Sequence, residues 1–130
     1  MSFLDKKRVQ VVGAIFERDS TFALFKKNNG SKYDGLWEFP GGKPEEGELP
    51  QETLVREIKE ELGVDVRKWT LLGTESYEEE KRIIELTCFL VTEWSGIFQL
   101  TEHSAYEFVS KPKMPMIPMV PADILFIKYL

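Results

Sequence analysis

From Pro50 to Gly63 the chain carries a pattern that few folds can use. Leu54, Val55, Ile58 and Leu62 fall within roughly 100° of arc on a helix that turns about 100° per residue. Glu57, Glu60 and Glu61 occupy an adjacent arc of similar width. The spacing predicts a helix over Pro50–Leu62 that buries one stripe and lines three carboxylates beside it, with Gly63 as its stop. Like charges four residues apart, as in Glu57 and Glu61, cost a helix about 0.2–0.5 kcal/mol. Arg56 relieves part of this through Glu60 and Glu52 but cannot neutralise the set. A hard dication held by carboxylate oxygens would. Taken alone, the same residues also describe a solvated acidic face.

The flanking chain reads as strands and turns. Val9–Phe16 is rich in β-branched residues, Glu17–Ser20 is a turn, and Thr21–Phe25 completes a hairpin. Lys26–Gly35 is a polar loop and Leu36–Phe39 a short aromatic run ending at Pro40-Gly41-Gly42. Trp69–Tyr77 and Ile83–Val91 form two further strands across the charged turn Glu78–Arg82, and Ala105–Val109 is a short strand. Prolines at 112, 115, 118 and 121 forbid a ladder there, and Ala122–Leu130 is predicted as a terminal helix. Strands grouped around two helices suggest an α+β or a layered α/β domain with a mixed sheet.

Reading from Gly42, five residues lead to Glu48 and seven more to Arg56-Glu57-Ile58-Lys59-Glu60-Glu61-Leu62-Gly63-Val64. This resembles the full Nudix box, G-x5-E-x7-R-E-U-x-E-E-x-G-U with U aliphatic. Such a match arises by chance on the order of once in a billion starts, so the solvated-face reading gives way. The resemblance implies an α/β/α sandwich carrying a loop–helix–loop metal site on one domain, residues 1–130. It implies that the Gly41 carbonyl, Glu57, Glu60 and Glu61 hold Mg²⁺, or Mn²⁺ in its place, with Arg56 and Glu48 positioning them. The metal would shield phosphate charge and activate water.

Leu36-Trp37-Glu38-Phe39-Pro40-Gly41-Gly42-Lys43 is similar to the segment preceding the box in MutT-like nucleoside triphosphate pyrophosphohydrolases. Arg82-Ile83-Ile84-Glu85-Leu86, Glu102-His103 and Pro121-Ala122-Asp123-Ile124 resemble the members of that branch that act on CTP. By that resemblance Glu102 is a further metal ligand or base, or else an exposed loop acid. Lys27 and Lys32 contact phosphates or serve solubility. Arg82 contacts the base or closes a turn, and Phe39 with the Met114–Met119 segment lines a base pocket or packs the core. Glu38, Pro40, Gly41, Gly42 and Lys43 complete the substrate-binding set. His103, the only histidine, supports its neighbours or stays solvated, because oxygen ligands suit this metal better. Asp123 either reads the base edge or starts a helix. Ionised, it only accepts hydrogen bonds and so favours bases that present an amino group, such as cytosine or adenine.

The expected reaction converts a (deoxy)nucleoside triphosphate and water to monophosphate and pyrophosphate, on cytidine or oxidised nucleotides such as 8-oxo-dGTP. The rivals are hydrolysis of another nucleoside-diphosphate derivative such as ADP-ribose, and an inactive ligand-sensing Nudix domain. A formal charge of −5 argues against a nucleic-acid polymer as partner. With 42% hydrophobic and 30% charged residues the chain reads as a soluble globular protein, with no obligate protein partner indicated. No stretch is long enough for a membrane span, the first eight residues lack a leader-like apolar run, and the cytoplasm is the expected compartment. The single cysteine, Cys88, reads as a buried thiol.

Overall fold

The computed structural model describes residues 5–130. Residues 1–4, on which the leader expectation partly rests, lie outside the described residues. Strand β1 (Lys7–Arg18) runs parallel to β6 (Arg82–Ser95), in register from Lys7 opposite Arg82 to Phe16 opposite Val91. The edge strand β5 (Asp65–Glu78) pairs antiparallel with β6. On the other flank β2 (Thr21–Lys27) turns back from β1, and β3 (Trp37–Glu38) and β7 (His103–Ser110) both pair with β2. The two-residue strand β4 (Gly41–Gly42) pairs with β1. The order β3-β2-β1-β6-β5 makes the sheet mixed, as expected.

Alternation along β1 explains the layers. Val12, Ala14 and Phe16 pack with Leu54, Ile58 and Leu62 of helix α1 (Pro50–Leu62). Ile15 points the other way, into a second cluster with Leu86, Cys88, Met114 and Phe126 from the C-terminal turns. A strand covered on both faces needs apolar residues at nearly every position, which is why β1 reads as a continuous run. Cys88 is buried, as expected.

Helix α1 has the predicted bounds, and Gly63 closes it in the left-handed conformation with its N–H donating to the Lys59 carbonyl. Val55, expected on the buried stripe, sits at its margin and is 38% exposed. Strands β5 and β6 extend beyond the predicted 69–77 and 83–91. Much of β5 is exposed at the sheet edge and its register slips between Val66 and Trp69, so its sequence carries little alternation. The predicted terminal helix is corrected. Only Pro121–Ile124 (α2) is α-helical, followed by a 3₁₀ turn at Ile127–Tyr129. Three-residue steps (Phe126 to Asp123, Tyr129 to Phe126) bury Phe126 and let the Tyr129 hydroxyl donate to Glu75 at 2.6 Å. The proline-rich stretch forms a 3₁₀ helix at Lys111–Met116, which tolerates the fixed φ of its prolines. No described helix is long and apolar enough to cross a membrane.

Candidate active site

The loop from Gly42 to Glu48 is fastened to α1 mainly by one side chain. Arg56 donates to Glu48 through both Nε (2.7 Å) and Nη2 (2.9 Å), and Nη2 also donates to the Lys43 carbonyl at 3.1 Å. Its Nη1 donates to Glu57 at 2.9 Å and Glu60 at 3.2 Å. The fork geometry suits several carboxylates at once. Thr53, fully buried and not anticipated from the sequence, adds a hydroxyl bond to Glu48 at 2.7 Å. These bonds, Arg56 first, bring the Glu48 carboxyl down to about 2, so the clasp stays ionised.

Along α1 the three glutamates diverge. Glu57 and Glu61 line a cavity of about 380 Å³, with Gly41 and Gly42 at the same end. Glu60, with its side chain 59% exposed, does not line it. Glu61 is 9% exposed and its Oε2 has no hydrogen-bond partner among the described residues. Burial first, then a hydrogen bond with Glu102 and the charges of Glu102, Glu38 and Glu57, push its carboxyl up to about 10. Burial also raises Glu57, against the pull of Arg56. Glu102 reaches this place because the segment before it is tied to the helix. Gln99 N–H donates to the Leu62 carbonyl at 2.8 Å, and the Thr101 hydroxyl to the Glu61 carbonyl at 3.1 Å.

A buried carboxylate with an orphaned oxygen is costly to charge unless a cation shares the site. Glu57, Glu61 and Glu102 supply the hard oxygen donors that a dication takes. Among the described residues no three acidic side chains already converge on one point. The donor chemistry of the three carboxylates nevertheless fits a divalent ion.

Glu38, Phe39 and Asp123 also line the cavity. Glu38 accepts from Lys27 Nζ at 3.2 Å and from His103 Nε2 at 2.8 Å. Since a carboxylate only accepts, Nε2 carries the proton. His103 is buried against Phe25 rather than solvated, so of its two readings the supporting one holds. Lys27 is thereby committed to Glu38, and Lys32 to Glu79 at 3.4 Å, away from the glutamate end. Lys43 lines the cavity, whereas Pro40 lies behind it, its carbonyl accepting from the Ala14 N–H at 2.8 Å. Met114 and Met119 are core residues that do not line the cavity; just after them Val120 and Ala122, also buried, do.

Asp123 is 6% exposed and its Oδ2 accepts from the Phe39 N–H at 2.8 Å. It stands in the first turn of α2, without a side-chain cap bond, and it also lines the cavity. Burial, followed by the charge of Glu38, raises this carboxyl well above its ordinary value, while Phe39 N–H and Lys27 pull it back. Tyr33 and Glu79 also line the cavity and were not anticipated. Tyr33 sits in a polar loop without periodicity, and nothing distinguishes Glu79 from its neighbours in Glu78-Glu79-Glu80.

Comparison with known proteins bears on this arrangement. A family model described as the NUDIX domain matches residues 6–130. The chain is 38% identical over 118 residues to a CTP pyrophosphohydrolase of Escherichia coli (strain K12), covering 91% of this chain and 87% of the relative. It is 41% identical over 100 residues to an 8-oxo-dGTP diphosphatase of Proteus vulgaris, covering 76% and 88%. The solution structure of the E. coli ORF135 protein superposes with a TM-score of 0.84 at 35% identity, covering 99% of this chain and 92% of that one.

Proposed function

The chain belongs to the Nudix family, and we propose that it is a nucleoside triphosphate pyrophosphohydrolase, converting (d)NTP and water to (d)NMP and pyrophosphate. The observation that carries this reading is the buried, partnerless Glu61 oxygen at the glutamate end of a cavity that Asp123 and Phe39 also line. One end suits a cation and phosphates, the other a nucleobase. Cytidine or oxidised nucleotides are the proposed substrates, in keeping with what the two curated relatives act on. Clearing altered nucleotides from the pool would place the enzyme in the cytoplasm.

Mg²⁺, with Mn²⁺ as a substitute, is the proposed cofactor, held by Glu57, Glu61 and Glu102 with the Gly41 carbonyl, and by Glu60 only if its exposed side chain turns in. When bound, such an ion shields phosphate charge and makes water a better nucleophile. The chain's own part is positional. Arg56 holds Glu57 and Glu48 in place, and Glu61, whose carboxyl burial raises, gives up its proton as the site charges. Lys43, whose side chain has no partner among the described residues, lines the cavity for a phosphate, while Lys27 keeps Glu38 in place.

A pyrophosphate-release screen across normal and oxidised nucleotides tests the assignment. In ¹⁸O-labelled water the label should enter pyrophosphate, because attack is proposed at the β-phosphorus. Label confined to the monophosphate would mean attack at the α-phosphorus and a different reaction.

Asp123 gives a test of base choice. An ionised carboxylate accepts from the cytosine amino group, whereas uracil turns a carbonyl toward it. Mismatched buried polar groups cost about 1–3 kcal/mol, so kcat/KM should favour CTP over UTP by roughly tenfold. The raised pKa adds a sign: the preference should shrink as pH falls and the acid protonates, and widen as pH rises. Asp123→Asn should narrow the CTP/UTP gap, improve relative use of 8-oxo-dGTP and flatten the pH trend. An unchanged ratio in the variant would return base selection to Arg82 and the apolar wall.

A further inference from the structure

The cavity floor follows β1 and β6 away from the glutamates. Gly13 lies opposite both Gly41 and Cys88, and the parallel register then passes Leu86 and Ile84 to Arg82. These four residues of β6 alternate onto the same sheet face, and six residues at about 3.3 Å each put Arg82 roughly 20 Å from the Gly41 level. There the cavity ends in a polar cluster. Glu79, its side chain 7% exposed, accepts from Arg82 Nε at 2.6 Å and from the Tyr33 hydroxyl at 2.6 Å. Lys6 Nζ donates to the Glu79 carbonyl at 2.8 Å, anchoring the same turn.

We propose that Tyr33, acting through Glu79, fixes the aim of Arg82 at the far end of the cavity and thereby helps set which nucleobase the enzyme accepts. The inference rests on the nucleotide reading of the cavity. Arg82 spends only Nε on Glu79, and its terminal nitrogens make no hydrogen bond to the described residues. An arginine only donates, so these nitrogens address the acceptor atoms of a base. Held by one bond to a flexible glutamate, the guanidinium would swing. Tyr33 removes that freedom by taking the second carboxylate oxygen, joining the loop before β3 to the β5–β6 turn. Burial and Glu79 raise the Tyr33 hydroxyl to about 12, so it remains a donor at any working pH. Burial would raise the Glu79 carboxyl, but the bonds from Arg82 and Tyr33 outweigh it and keep the acceptor ionised. Tyr33 and Glu79 are positioning residues.

The experiment compares Tyr33→Phe, Glu79→Gln and Arg82→Ala, singly and with Tyr33→Phe added to Arg82→Ala, on CTP and UTP at saturating Mg²⁺. Tyr33→Phe should raise KM for CTP about fivefold, leave kcat within about twofold, and reduce the CTP/UTP ratio of kcat/KM about threefold. Glu79→Gln should move the same quantities in the same direction. In the Arg82→Ala background, Tyr33→Phe should change kcat/KM by less than about 1.5-fold, because its effect passes through the arginine. A full Tyr33→Phe effect in that background, or an unchanged KM and ratio in both single variants, would overturn the inference while wild-type turnover left the nucleotide reading standing. A folded wild type that hydrolyses no nucleoside triphosphate would overturn both.

Discussion

Replacing Glu61 by glutamine should lower kcat on the order of a thousandfold at saturating divalent metal, and should make the metal-free protein less sensitive to alkaline pH. Glutamine has the shape of the protonated acid, which is the form that burial and Glu102 favour in the metal-free state. The fold should therefore survive. What disappears is the ability to become charged, and with it one oxygen ligand and one unit of charge for a dication. The stability effect has a definite sign. The folded carboxyl titrates at about 10 against an ordinary 4.5, so between those values the unfolded chain binds fewer protons than the native one. The stabilisation is fully present below the unfolded pKa and is lost as pH rises through the folded one. Thermal unfolding of wild type in a chelator should show Tm falling across that window. The glutamine variant should lack this component, and divalent metal should offset it in wild type but not in the variant. Near-wild-type turnover by the variant would remove Glu61 from the active site. Parallel pH–Tm curves without metal would show that the folded carboxyl titrates at its ordinary value and is already charged across that window.

The box from Gly42 to Val64 was legible because its chemistry forces its spacing. Carboxylates four apart share a helix side, and Arg56 must reach Glu48 to hold the preceding loop. The helix, its stop and the hairpins were legible from local periodicity and turn residues. Besides the C-terminal helix, two things were not. The length of β5 was hidden because an exposed edge strand needs no apolar alternation. The division of labour among the polar residues was hidden because it depends on long-range register. Nothing near Lys27 in the sequence says that β7 will bring His103 beside it and that both will close on Glu38. Asp123 shows the limit most clearly. Its residue type was informative, but its protonation balance depends on Phe39 and Glu38, 84 and 85 positions earlier.

Gly42→Ala should separate activity from stability. Gly42 lies opposite Val12 in the short β4–β1 pairing and against the Glu57 carboxyl. A methyl group built there would overlap all three atoms of that carboxyl group. The obstacle is the tip of a flexible side chain, so Glu57 can swing aside, and the fold should lose no more than about 1 kcal/mol. Gly41→Ala offers the contrast. Its methyl would drive into the Val12 carbonyl, which belongs to the backbone of a central strand and cannot move without breaking the pairing. That variant should fail to fold normally. In Gly42→Ala the displaced carboxylate loses its bond from Arg56 Nη1 and its place at the cavity end. Misplacing a reacting group by about 1 Å costs roughly a hundredfold in rate, and that is the loss expected in kcat. The apparent affinity for divalent metal should weaken in parallel, because one of the proposed ligands has been moved rather than removed. Tm, kcat and a metal titration on the same preparation check all three. A Gly42→Ala enzyme that melts like wild type and keeps activity within about fivefold would show that Glu57 works from some other position than the one it holds beside Gly42.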